Sequence, residues 1–285
     1  MTSDVVTGLV ADLHDEFGEL AALLEPQPES AWRRDTPATG WTVRDQVAHL
    51  AHFDQVTRLC IAQPAAFVLL RDGLVDLQAY VDGIGLDHAS RAGADMLRWW
   101  SRENALLRAA ALEADPAVRV PWFGPSMSLA SKLTARIMET WAHGQDVVDA
   151  LGLTREPTGR LRHIARIGIL AFANSFRVRG LEVPEVPLLV RLDPPGGGKH
   201  WIWGDPAAAD VVTGSAEDFC LVVTQRRHVS DTALDVQGEA ATRWMAIAQA
   251  FAGPPGQGRE PGQFPARVRP ARPPRRTRRG SRVPS

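Results

Sequence analysis

Cysteine and lysine are scarce in this chain of 285 residues. Cys60 and Cys220 lie far apart and fit no disulfide framework, redox pair or thiolate metal site. Each reads as a small buried hydrophobe in a reducing compartment. No apolar run is long enough to cross a bilayer, so no membrane association is expected. The start, Met1-Thr-Ser-Asp-Val-Val, lacks the basic and apolar regions of a secretory signal. A cytoplasmic protein is therefore expected. Catalytic signatures are also missing: no G-x-S-x-G elbow, no P-loop and no H-E-x-x-H. Gly196-Gly-Gly-Lys199 lacks the Walker spacing and a following Ser or Thr, and reads as a hairpin turn.

Apolar residues make up 45% of the chain, enough for a large core. The net charge of −1 conceals an imbalance. Nine Arg against one Glu give residues 253–285 a charge of +8, leaving −9 for the body. An acidic body is a poor nucleic-acid surface, so no specific nucleic-acid partner is expected. The Pro-, Gly- and Arg-rich stretch 253–285 buries too little to offset its ordering entropy and reads as a disordered basic tail.

Helical periodicity organises the first half. Val6, Leu9, Val10, Leu13, Phe17, Leu20 and Leu24 recur at threes and fours, ahead of Pro26 and Pro28. Thr42 and Asp45 form a near capping box for a helix running to about Ala62. A third helix is expected between Asp87 and Glu113. A fourth, capped by Ser126 or Ser128, runs through Leu129, Leu133, Ile137, Trp141 and Val148. Four long helices joined by loops predict a helix bundle over 1–155, followed by a connecting helix within 156–180. Strand signals at 187–193 and 199–204 flank Pro194-Pro-Gly-Gly-Gly198, a third short strand is expected at 209–213, and helices should start at Ser215 and about Gly238. Residues 181–252 thus read as a small α+β domain.

Glu139-Thr-Trp-Ala-His143 carries the chemistry. Its i, i+4 spacing stacks a carboxylate and an imidazole on one side of a helix. His49, on the flank of the Val43–Val47–Leu50 stripe, could join them as a third ligand, whereas His52 points to the opposite side and reads as a surface residue. Three protein ligands leave a position open, as in a working metal site. The bland reading of the pair alone is two solvent-facing residues, or an ordinary hydrogen bond.

With these residues in place, positions about 8–150 resemble the metal-binding domain of mycothiol-dependent maleylpyruvate isomerases, within the DinB-like four-helix bundles. Gly40-Trp41-Thr42-Val43-Arg44-Asp45 leading into His49-Leu50, and Glu139-Thr-Trp-Ala-His143-Gly-Gln-Asp146, carry the likeness. Residues 180–252 look like the smaller, sterol-carrier-like domain of such proteins, marked by Gly214-Ser-Ala-Glu-Asp218-Phe219 and Arg226-Arg227. The chain most resembles an actinobacterial subgroup of unassigned substrate. The resemblance implies a divalent ion, usually Zn2+, on His49, Glu139 and His143, with mycothiol as thiol cosubstrate and a small-molecule electrophile. It implies an isomerase or S-transferase that is a monomer or homodimer.

Two further residues take roles in that scheme. Asp146, one turn after His143, is placed to accept the imidazole's second N–H. Arg226 or Arg227, from the smaller domain, is placed to reach a substrate anion, with Arg226 as the catalytic candidate. Two other functions use the same features. In a metal-dependent hydrolase water replaces the thiol. In a non-catalytic small-molecule or lipid carrier the metal is structural.

Overall fold

The long periodic stretches form the helices their apolar stripes require. The computed structural model describes residues 3–264. Helix α1 (Ser3–Leu24) buries Leu13, Leu20 and Leu24. A single turn, α2 (Glu29–Trp32), precedes α3 (Val43–Ala62). The Thr42–Asp45 pair closes a full capping box at the start of α3: Thr42 accepts from Asp45 N–H, and Asp45 accepts from Thr42 N–H. Pro64 opens α4 (Pro64–Asp72), and Asp76 caps α5 (Leu77–Asp87). Neither was anticipated, and they displace the start of the third long helix, α6 (Gly93–Glu113), from its expected position near Asp87. Two-residue strands β1 (Arg119–Val120) and β2 (Met127–Ser128) pair as an antiparallel hairpin. Helix α7 (Leu129–Leu151) follows, capped by the Ser128 side chain and ended by Gly152 at φ 66°. Helices α1, α3, α6 and α7 share one apolar core that includes Leu13, Leu50, Trp100 and Leu133.

The expected connecting helix is two shorter ones, α8 (Leu161–Leu170) and α9 (Phe172–Arg177). Strand β3 (Leu188–Asp193) pairs antiparallel with β4 (Trp201–Gly204) across the predicted hairpin and parallel with β5 (Asp210–Ser215). Ser215 caps α10 (Ala216–Val223). A short strand that the pattern did not signal, β6 (Asp235–Gln237), closes the order β4-β3-β5-β6 before α11 (Glu239–Ile247). A second core, with Phe176, Phe219 and Trp244, lies between this sheet and its helices. Gly168 lets α8 approach α10 closely, since a Cβ there would sit 2.7 Å from Val223.

Helix α7 is buried nearly all round. Leu129, Leu133 and Ile137 enter the first core, while Met138, Trp141 and Ala142 enter the second. Its apolar residues therefore form two faces, serving both cores. Two of its buried charged side chains are paired. Arg136 Nε donates to Asp54 Oδ1 at 3.0 Å, and Arg227 grips Asp149 with two bonds of 2.7 Å.

Residues 253–264, expected as the start of the disordered tail, lie against the body. Arg259 pairs with Asp146 at 2.6 Å, and Asp231 accepts from Gly262 N–H and Phe264 N–H. The rest of the expected tail, 265–285, lies outside the described residues. No helix among the described residues is long and apolar enough to cross a membrane.

Candidate metal centre

Packing α3 against α7 brings together the three residues singled out from the sequence. His49, Glu139 and His143 each offer a ligand atom, and these atoms all lie within 4.8 Å of one another. Glu139 Oε2 is 3.1 Å from His143 Nε2 and 3.9 Å from His49 Nε2. Two ligands at tetrahedral positions about 2.0–2.1 Å from a common ion are about 3.3 Å apart. The spacing therefore suits a shared cation.

The surroundings prepare the ligands for that role. Burial pushes the His49 imidazolium down to about 3, with the neighbouring His143 adding to the effect, so His49 is neutral at pH 7. A neutral imidazole is the form that binds metal. Burial acts to raise the Glu139 carboxyl, but the adjoining His143 and His49 imidazoles outweigh it and hold the group well below its usual range. Glu139 keeps 25% of its side chain exposed, against 12% for His49, so the site opens on the carboxylate side. His49 Nδ1 is buried without a hydrogen-bond partner.

Aromatic rings wall the centre. The Trp41 indole stacks on His143 at 5.8 Å between centroids and lies 5.2 Å from the ring of His49. Phe53 packs on the other side of His49 at 4.5 Å. Trp122 and Phe123, from the β1–β2 hairpin, extend this wall beyond Phe53. Beside it, a cleft of about 260 Å³ lies between α5 and the start of α3, lined by Trp41, Arg44, Asp45, His49 and Ile84. Gly85 allows α5 to close down there, because a Cβ would meet Asp45 Oδ1 at 2.6 Å.

Three expectations are corrected. Asp146 does not hold the His143 imidazole. Its carboxylate is fully buried and taken by Arg226 at 2.7 Å and Arg259 at 2.6 Å. The partner of His143 Nδ1 is Gln46 Oε1 at 2.5 Å, a residue on α3 that spacing arguments passed over. A fully buried amide on the Val43–Val47–Leu50 stripe, one turn before His49, is the signal that would have found it. Arg226 is not a free cation over the bundle mouth. Each of its three guanidinium nitrogens has a protein acceptor, on Ala142, Thr224 and Asp146. Arg227 likewise is bound to Asp149. Both arginines clasp the end of α7 because the chain returns past it after α10. His52 is half-buried and bonded through Nε2 to the Tyr80 hydroxyl at 2.6 Å, rather than lying free on the surface.

Comparison with known proteins agrees with this architecture. A family model described as the mycothiol maleylpyruvate isomerase N-terminal domain matches residues 13–148. Two uncharacterized proteins, from two strains of Mycobacterium tuberculosis, are each 44% identical to this chain over 251 residues, covering 88% of it and 97% of their own length. A crystal structure of mycothiol-dependent maleylpyruvate isomerase shares the fold with TM-score 0.54 at 17% identity, covering 78% of this chain and 90% of its own. A histidine-to-alanine mutant of that enzyme gives TM-score 0.55 at 15% identity with the same coverage. Residues 13–148 belong to the family of mycothiol maleylpyruvate isomerase N-terminal domains, and over most of its length the chain is a relative of the two mycobacterial proteins.

Proposed function

We propose that this protein holds a divalent ion, most simply Zn2+, on His49, Glu139 and His143, and catalyses a mycothiol-dependent isomerisation or S-transfer. The observation that carries the reading is the convergence of two imidazoles and one carboxylate within 4.8 Å, drawn from two helices. Three protein ligands match the composition of catalytic rather than structural sites. Bound there, the ion supplies positive charge that favours the anionic form of an incoming low-molecular-weight thiol.

The chain's own residues do the rest. His49 stays neutral through burial, so protons do not compete for it near pH 7. Trp41, Phe53 and Trp122 limit water around the centre and offer flat apolar walls to a conjugated electrophile. The cleft between α5 and the start of α3 gives a small molecule a path that ends on His49. Neither cysteine supplies the nucleophile: burial pushes the Cys60 thiol up to about 12 and the Cys220 thiol well above its ordinary value. An external thiol fills that role.

The test is thiol dependence. Zinc-loaded protein is incubated with maleylpyruvate and related conjugated acids, with and without mycothiol, and conversion is followed by absorbance and chromatography. The reading expects turnover or adduct formation only when the thiol is present. Equal turnover without thiol would transfer the assignment to a metal-dependent hydrolase.

A further inference from the structure

A chain of four groups leads from a backbone carbonyl to the candidate metal, and its hydrogen-bond directions can be settled one by one. The carbonyl of Trp41 can only accept, and it takes Thr36 N–H at 2.8 Å and the Thr36 hydroxyl at 2.7 Å. A longer contact of the same hydroxyl, 3.4 Å to the Ala38 carbonyl, is also to an acceptor, so the hydroxyl proton ends on a carbonyl either way. With its single proton used, Thr36 Oγ1 can only accept from Gln46, 2.9 Å away. The Gln46 atom facing it is therefore the NH2 group.

That orients the whole amide. Gln46 Oε1 then faces His143 Nδ1 at 2.5 Å, and because an amide oxygen only accepts, Nδ1 must carry a proton. His143 Nε2 turns toward Glu139 Oε2, 3.1 Å away. In neutral His143 that nitrogen bears only a lone pair, which together with the Glu139 carboxylate faces the position a shared cation would take. Gln46 is fully buried and Thr36 is 8% exposed, so water has little access to replace either bond. Trp41 serves twice: its carbonyl anchors the chain of bonds, and its ring stacks on His143.

We infer that Thr36 and Gln46 form a positioning relay that fixes the His143 tautomer, presenting Nε2 to the metal. The inference rests on the metal centre proposed above. The acceptor is a neutral amide rather than a carboxylate. The ligand set therefore carries one negative charge, and a divalent ion leaves the centre with a net positive charge that favours an anionic partner. Thr36 and Gln46 touch no reacting atom and act through His143.

The experiment uses Co2+ alone as probe, titrated into the metal-free full chain against a chelating dye, with the visible cobalt bands recorded. Gln46→Leu is expected to weaken cobalt binding about 10- to 100-fold and to shift the bands, as loss of a ligand-orienting partner does. Thr36→Val is expected to weaken binding in the same direction by less, and Thr36→Ser, which restores the hydroxyl, to return it to the wild-type value. The double variant Gln46→Leu/Thr36→Val is expected to bind no more weakly than Gln46→Leu, because the two act in series. Wild-type affinity and spectrum in folded Gln46→Leu would overturn the relay while leaving the metal reading intact. If Gln46→Leu does not fold, Thr36→Val indistinguishable from Thr36→Ser would overturn it. Failure of the wild type itself to take up cobalt would sink the metal centre and the relay with it.

Discussion

Replacing Arg136 by Met removes the cation that neutralises Asp54, a carboxylate with no exposed surface. Asp54 keeps two neutral donors, Trp100 Nε1 at 3.1 Å and Asn104 Nδ2 at 3.0 Å, which hydrogen-bond the charge but do not cancel it. The substitution also removes the bond from Arg136 Nη2 to the Leu50 carbonyl. Breaking a buried pair by removing one partner costs about 3–5 kcal/mol. The two remaining donors place this case near the lower end, about 3 kcal/mol, or roughly a hundredfold in the unfolding constant. Adding Asp54→Asn removes the orphaned charge and keeps an oxygen for Trp100 and Asn104, so the double variant should recover about 2 kcal/mol. Urea unfolding of the metal-free proteins, followed by circular dichroism, measures both values. A loss below about 1 kcal/mol in Arg136→Met would refute the reasoning, as would a double variant less stable than the single. The pair also bears on the site. Asp54 follows His49 by five residues and Arg136 precedes Glu139 by three, so their bond sets the register that brings the ligands together. Metal affinity should therefore fall in Arg136→Met as well.

Three other outcomes are expected. Burial, aided by His88, lowers the His52 imidazolium to about 4 from its ordinary 6.5, so the unfolded chain takes up that proton first as pH falls. The stability His52 contributes is complete above pH 6.5 and lost as pH drops through 4. The melting temperature of metal-free protein should decline over that window, less steeply in His52→Gln, and an identical decline in both would remove His52 from the account. Lys132 is 2% exposed, with its amine over the Trp122 ring at 2.9 Å, and burial lowers it to about 6. Lys132→Met should stabilise the protein at pH 7 by about 1–3 kcal/mol. The gain should shrink toward pH 10.5, where the unfolded chain also loses the proton. Denaturation at the two pH values checks both sign and trend. Gly85→Ala should force α5 away from Asp45, costing about 1 kcal/mol, because Asp45 is held in the capping box and cannot easily yield. Hydrogen exchange in α5 should speed up while that in α7 stays unchanged.

The long helices were legible because their stripes recur at helical spacing and their caps are local: Thr42–Asp45 and Ser128 need only neighbours within one turn. The ligand trio was legible for a related reason. Glu139 and His143 are fixed by one helix, and His49 sits on the flank of its own stripe. Helix α5 escaped notice because it buries only Ile84 and contains Gly83 and Gly85, so it has almost no stripe. The roles given to Asp146 and Arg226 failed at longer range. Helical spacing brings Asp146 within a turn of His143, but it does not reveal that Arg226 and Arg259 return from 80 and 113 residues away to claim the carboxylate. Gln46 lacked any motif, since a neutral amide enters no ligand signature, although its burial on an apolar stripe required a partner.

Metal content per chain, measured by plasma mass spectrometry on wild type, His49→Ala, Glu139→Ala and His143→Ala, tests the central claim most directly. Near-stoichiometric metal is expected in wild type and is expected to be lost in each variant, with the fold retained. A folded wild type that holds no metal after reconstitution with zinc would contradict that claim.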